Sequence, residues 1–207
     1  MKKFILSIVI SFFCIFNSYS HIDHYSNFNY LEYELFRNNK LIGYHKYDFI
    51  RSNDFLTVKS DVQFKITKLG IDLYKYKANS EEIYKKGDFF KFISKTKQNK
   101  KEKYVNISFN PKKDNLLIDG SSYKGDASKD FIVGTWWNHE IVKAKAQISA
   151  ISGRIIEQKV VFVGKEKINI NGKSFNTLHF NFSSSDPNLP PEKKLNTDIW
   201  YDENTFL

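Results

Sequence analysis

The chain has 207 residues, of which 41% are hydrophobic and 16% aromatic, with 19 Phe and 12 Tyr. That supplies one sizeable core and more aromatic weight than a helical domain carries. Four Pro and nine Gly exclude a disordered chain, and a single Cys excludes a disulfide framework.

Residues 1–20 read as a secretory signal peptide. Lys2 and Lys3 form a basic start, Phe4 to Phe16 an apolar run, and Ser18 and Ser20 the small residues of a cleavage site. The apolar run is too short for a good membrane span. Phe13 before Cys14 stands where a lipid-anchor site needs a small residue. Cleavage removes Cys14, and residues 21–207 are expected as one exported β domain, periplasmic or extracellular. The net charge of +9 is concentrated: residues 85–113 carry ten Lys against Asp88 and Glu102.

Along the remaining chain, period-two alternation dominates. Phe28 to Arg37 alternates, with Leu31, Tyr33 and Leu35 on one face. Asn38-Asn39-Lys40 turns into a return strand over Leu41 to Arg51, where Gly43 marks a bulge or a close backbone approach. Phe55 to Thr67 places Leu56, Val58, Val62, Phe64 and Ile66 on one face. Phe64 to Gly87 reads as one long strand bent at Gly70. Beyond the bend Leu69, Ile71 and Leu73 take the apolar side, and Tyr74 and Tyr76 share the other with Asp72. Strands follow over Phe89–Lys97 and Lys103–Phe109, with a short one over Leu116–Asp119 and a loop over Gly120–Lys129.

Phe131 to Gly153 lacks strand rhythm, and Asn138 is placed to cap a short helix over His139–Lys145. Strands resume at Arg154–Val163. Asn171-Gly172-Lys173 joins Lys167–Ile170 to Ser174–Phe182 as a hairpin. In that second arm Leu178, Phe180 and Phe182 point in, and Thr177, His179 and Asn181 out. Ser183 to Lys194 is a loop, and Asn196 to Asp202 a last strand. The fold class is mostly β: a strongly curved antiparallel sheet of about ten strands, half-barrel or closed barrel, with one short helix.

A set of residues in order resembles a known family. It comprises Leu41-Ile42-Gly43, Tyr74 and Tyr76, Ser80-Glu81-Glu82-Ile83-Tyr84 with Gly87, Ser94 and Thr96, and Trp137-Asn138. Gly153, Gly164 and Trp200-Tyr201-Asp202 complete it. The pattern is similar to a family of exported bacterial β-rich proteins carrying a domain of unknown function. The resemblance implies an envelope location and a curved sheet like that of lipoprotein-carrier domains, and it supplies no catalytic residues. Similar chains continue into further strand, so one or two strands are expected beyond Leu207.

Several chemistries fail on spacing. His139-Glu140 lacks the second zincin histidine, since Lys143 stands one turn on. Gly172-Lys173-Ser174 lacks the earlier glycine of a phosphate loop. His21 and His24 lack further metal ligands, and no metal or cofactor is expected. Glu81 and Glu82, adjacent on a strand, point to opposite faces. One is expected in solvent and the other inward, against a Lys or a Tyr hydroxyl. The ligand-binding candidates are Trp136, Trp137, Trp200, Tyr201, Tyr74, Tyr76 and Glu82. The Lys-rich segment offers Lys85, Lys86, Lys95, Lys97, Lys100, Lys101 and Lys103 as a basic surface for anionic lipid. Nucleic acid is not an expected partner of an exported, Arg-poor chain. The preferred function is non-enzymatic binding of an apolar or anionic envelope component, with lipid the best match. The alternatives are an envelope hydrolase using Glu81 or Glu82 with His45, His139 or His179, and an assembly module docking through a sheet edge.

Overall fold

The computed structural model describes residues 25–207; residues 1–20, expected as a signal peptide, with Cys14, and also His21 and His24 lie outside them. Eight consecutive strands form the larger sheet. They are β1 (Tyr30–Arg37), β2 (Lys40–Ser52), β3 (Phe55–Lys68), β4 (Ile71–Lys85), β5 (Asp88–Gln98), β6 (Lys101–Asn110), β7 (Asn115–Gly120) and β8 (Lys124–Ser128). Each pairs antiparallel with its sequence neighbour, in the order β1 to β8. The second sheet has the order β13-β12-β11-β10-β9. Its members are β9 (Ile132–Val133), β10 (Ala146–Ile148), β11 (Ile155–Ile170), β12 (Lys173–Ser184) and β13 (Asn196–Asp202), and β9 pairs with β10 in parallel.

The expectation of about ten strands in one curved sheet is therefore corrected to thirteen strands in two sheets among the described residues. Among the described residues no ladder joins the two, so the barrel is not closed. The short helix is present as one 3-10 turn, His139–Val142, and Asn138 caps it by accepting from the Glu140 amide at 3.1 Å.

Turn chemistry sets the meander. Asn38 and Asn39, Lys86 and Gly87, and Asn171 and Gly172 all hold positive φ, as two-residue hairpin turns that match strand twist require. Leu69 (φ 51) and Gly70 (φ 79) form another such turn. Phe64 to Gly87 is thus not one bent strand but the end of β3, a turn, and β4. Leu69, Ile71 and Leu73 do not take the apolar side: they are exposed, and Tyr74 and Tyr76 point inward. Residues 120–129, expected as a loop, contain β8. Arg154–Val163 and Lys167–Ile170 are one strand, β11, with an irregularity between Phe162 and Gly164. Gly43 is a close approach. A Cβ there would stand 2.6 Å from the Phe64 Cα, so only glycine lets β2 and β3 keep their register.

The core lies in two adjoining clusters under the inner face of the larger sheet. One gathers Phe92, Val105, Ile107, Leu116 and Ile118 with Val133 and Ile148; the other gathers Tyr25, Tyr47, Phe49, Val58, Tyr84 and Trp137. Each such aliphatic or Phe side chain contributes about 1.5–3 kcal/mol on burial. Both clusters draw on residues 132–148. That segment belongs to the stretch Phe131 to Gly153, expected to lack strand rhythm apart from a short helix, and the stretch forms a strap laid across the sheet.

Candidate functional site

Register sorts the inner face into rows. Phe49, Val58, Glu82, Phe92, Ile107 and Ile118 form the first. Tyr47, Ser60, Ser80 and Ser94 form the second, His45, Val62, Ala78 and Thr96 the third, and Gly43, Phe64, Tyr76 and Gln98 the fourth. The strap closes the first row and reaches the second. Its anchor is Glu82, 2% exposed. One carboxylate oxygen accepts from Trp137 Nε1 at 2.9 Å and Thr135 Oγ1 at 3.0 Å; the other accepts from the Tyr84 hydroxyl at 2.6 Å. Burial raises the Glu82 carboxyl above its ordinary range, and these three donors pull it partly back. Ser94 donates to the Ala150 carbonyl at 2.5 Å and Tyr47 to the Thr135 carbonyl, tying both ends of the strap to the second row.

The third and fourth rows remain open. They floor a cleft of about 440 Å³, with Gly134, Thr135, Trp136, Ala150 and Ile151 of the strap side as its far wall. The mouth is apolar and aromatic (Leu35, Phe64, Tyr74, Tyr76) and the inner end polar (His45, Ser60, Ser80). Phe64 stacks on Tyr76 with centroids 4.8 Å apart, which fixes the aromatic floor. His45 Nε2 lies 2.8 Å from Ser60 Oγ, and its Nδ1 lies 3.3 Å from the Tyr47 hydroxyl. Tyr47 already donates to Thr135, so it accepts from Nδ1–H and leaves Nε2 to accept from Ser60. Burial pushes the His45 imidazole down to about 4, so it is neutral at pH 7.

A second cleft, about 610 Å³, lies on the other part of β1. Leu31 and Tyr33 face Ile168, Phe175, Thr177 and Trp200 across it. Thr177, expected to point into solvent, is buried and donates to the Glu166 carbonyl at 2.9 Å. Beside it His179 stacks on Trp200 and bridges Glu166 (2.7 Å) and Asp198 (3.0 Å). Desolvation lowers the His179 imidazole, but the two carboxylates together outweigh it and raise it.

The ligand-binding candidates thus separate. Tyr74, Tyr76 and Trp136 line the inner-face cleft, and Trp137 and Glu82 form the plug beneath it. Trp200 lines the second cleft. Tyr201 is buried, with its hydroxyl 3.3 Å from the Trp136 carbonyl that accepts from it. Glu81 points outward to Lys59, at 3.4 Å. By sequence His45 is named only as a partner for Glu81 or Glu82 in a hydrolase, Ser80 only within the family pattern, and Ser60 is not singled out. The available signal was parity, since Ser60 continues the series Leu56, Val58, Val62, Phe64.

The basic candidates also divide. Lys85 and Lys86 lie at one end of the β4–β5 hairpin and Lys100 and Lys101 at the end of β5. An eleven-residue strand separates the pairs, about 35 Å at 3.3 Å per residue. Lys95 and Lys97 stand on the outer face between them, and Lys97 pairs with Glu102. Lys103 is half-buried.

No group of three or more potential ligands for a metal ion occurs among the described residues, and no helix there is long and apolar enough to cross a membrane. No curated protein matches the chain. The chain is similar to a crystal structure of a beta-barrel-like protein of domain of unknown function DUF1849 from Brucella abortus. The identity is 14%, the TM-score 0.51, and the alignment covers 84% of this chain and 87% of that one. That likeness bears on fold alone. The family model for domain of unknown function DUF6134 matches residues 33–207, from β1 through β13, and the chain belongs to that family.

Proposed function

We propose that the protein binds an apolar or amphiphilic envelope component, a lipid being the best chemical match, without turning it over. The observation that carries this reading is the inner-face cleft. Its volume falls in the range of small-ligand sites, about 300–1,000 Å³, and its wall pairs an apolar mouth with a few polar groups inside. Val62, Phe64, Tyr76 and Ile151 suit a hydrocarbon chain; His45, Ser60 and Ser80 suit the polar end of the same molecule. The strap keeps this space from collapsing, because Glu82 and Ser94 hold it to the lower rows.

Hydrolysis draws less support. The Glu82 oxygens are engaged by Trp137, Thr135 and Tyr84, none of them histidine, and Glu81 faces away toward Lys59. Ser60 and His45 are hydrogen-bonded, but an imidazole pushed down to about 4 is a weak general base at pH 7. Ser60 also lies mid-strand in a ladder paired on both sides, where neighbouring amides are committed to the sheet rather than free to hold an oxyanion. A docking module with a solid interior is disfavoured by the cleft itself.

The test is extraction of the purified protein with organic solvent followed by mass spectrometry. Wild type is expected to carry lipid, and Ala78→Trp, which fills the cleft floor, to carry at least about tenfold less at unchanged melting temperature. Lipid-free wild type that also fails to take up a fluorescent fatty acid overturns the reading.

A further inference from the structure

A meander of hairpins alternates its turns between two ends. The β1–β2, β3–β4 and β5–β6 turns share one end, and it is the end toward which the cleft lining extends, through Tyr74 and Gln98. Apolar side chains stand out from it: Leu69 at 93% exposure, Ile71 at 66%, Leu41 at 59% and Phe36 at 56%. Leu69 is the sharpest case. It occupies a positive-φ turn position that favours Asn or Gly, so it opposes both backbone preference and solvation. Neither stability nor solubility accounts for a leucine there.

The surroundings are basic. Arg37, Lys40, Lys68, Lys77, Lys100 and Lys101 have no carboxylate partner among the described ion pairs. Of the nearby acids, Asp72 pairs with Lys65 and Lys75 and Glu102 with Lys97, while Glu34 on β1 is in none of the described ion pairs. Hydrogen bonds from Lys75 and Thr67 hold the Asp72 carboxyl down to about 2, so it stays ionised and engaged. Projecting apolar tips ringed by unpaired cations match an interface whose outer layer is anionic and whose next layer is hydrocarbon.

We infer that this end of the larger sheet docks on an anionic phospholipid bilayer, with the Leu69-Gly70-Ile71 tip inserted at the acyl boundary and the lysines on headgroup phosphates. The geometry turns the cleft mouth toward the membrane. The docking surface stands whether or not the cleft holds lipid, because it rests on different residues.

The experiment is cosedimentation with vesicles made of equal parts phosphatidylglycerol and phosphatidylcholine, compared with phosphatidylcholine alone. Wild type is expected to bind the anionic vesicles and to lose affinity as salt is raised. The double variant Leu69→Glu with Ile71→Glu is expected to weaken binding at least about tenfold, and Lys100→Glu with Lys101→Glu about as much. Those side chains are exposed, so circular dichroism should be unchanged. Leu117→Glu, an exposed leucine on β7 away from the tips, should bind as wild type does. Ala78→Trp should also bind normally, which separates failure of docking from failure of the cleft reading. Equal binding to both vesicle types, no binding at all, or equal loss in Leu117→Glu overturns the inference. So does a tip variant that loses a purified protein partner while wild type ignores vesicles.

Discussion

Replacing Glu82 is the most direct perturbation of the strap. Glu82→Ala leaves the Trp137 indole, the Thr135 hydroxyl and the Tyr84 hydroxyl without their shared acceptor. A buried donor left unsatisfied costs about 1–3 kcal/mol, and some of that is returned because the buried carboxylate is also gone; the net loss is about 3–6 kcal/mol. Against a typical stability of about 5–15 kcal/mol this is a large fraction. Glu82→Gln keeps an acceptor toward Trp137 and Thr135 and turns an amide toward Tyr84, so it should fall within about 1 kcal/mol of wild type at pH 7. The two variants also differ in pH response. Burial raises the Glu82 carboxyl above 4.5, so its favourable state is complete below pH 4.5 and is lost as pH rises through the folded value. Wild type should therefore gain on Glu82→Gln as pH falls toward 4.5. Urea unfolding followed by far-UV circular dichroism, repeated across that range, measures both effects. A loss under about 1 kcal/mol for Glu82→Ala would show that the strap is held by apolar packing and not by this carboxylate.

Two further outcomes follow from the same geometry. His45 is pushed down to about 4 from 6.5, so its stabilising state is complete above pH 6.5 and is lost as pH falls toward 4. That drop is about 3 kcal/mol, and His45→Gln should abolish it in acid-unfolding curves, whereas an unchanged acid limb would place the sensitivity elsewhere. Gly43→Ala puts a methyl against the Phe64 backbone and should cost at least about 1–3 kcal/mol in urea unfolding; a neutral result would mean β2 and β3 separate freely there.

Much of the scaffold was legible in the residues. β13 follows directly from the alternation of Asn196 to Asp202, and Asn171-Gly172 marks the β11–β12 hairpin because both residues accept positive φ. Asn138 announced its cap. The β3–β4 turn was hidden because Leu69 occupies a place where turn chemistry calls for Asn, and an apolar residue there reads as strand. β8 was hidden for the opposite reason: Lys124–Ser128 carries a single buried side chain, Ala127, so no alternation shows. For the site, strand parity puts Glu82, Tyr74 and Tyr76 on one face, but the sequence reads Leu69, Ile71 and Leu73 as the apolar side and leaves the choice between Glu81 and Glu82 open. Parity could not show which part of that face the strap covers. That depends on Trp137 reaching Glu82 across 55 residues, a pairing no local pattern encodes. Ser60 passed unnoticed, and His45 and Ser80 were not read as lining a cleft, because isolated polar residues on a half-buried strand look solvated until a roof is set over them.

The strict neighbour-to-neighbour pairing of β1 through β8 also bears on how the chain assembles. Each strand finds its partner across a short turn, so the larger sheet can zip up hairpin by hairpin with small loop-closure cost at every step. β11 and β12 do the same across Asn171-Gly172, and β13 returns to β12 over the longer connection 185–195. The long-range closures are those of the strap, where β9 and β10 pair in parallel and Trp137 meets Glu82. A chain emerging end first from a pore can therefore lay down its sheets in order, while the inner face stays uncovered until the strap arrives.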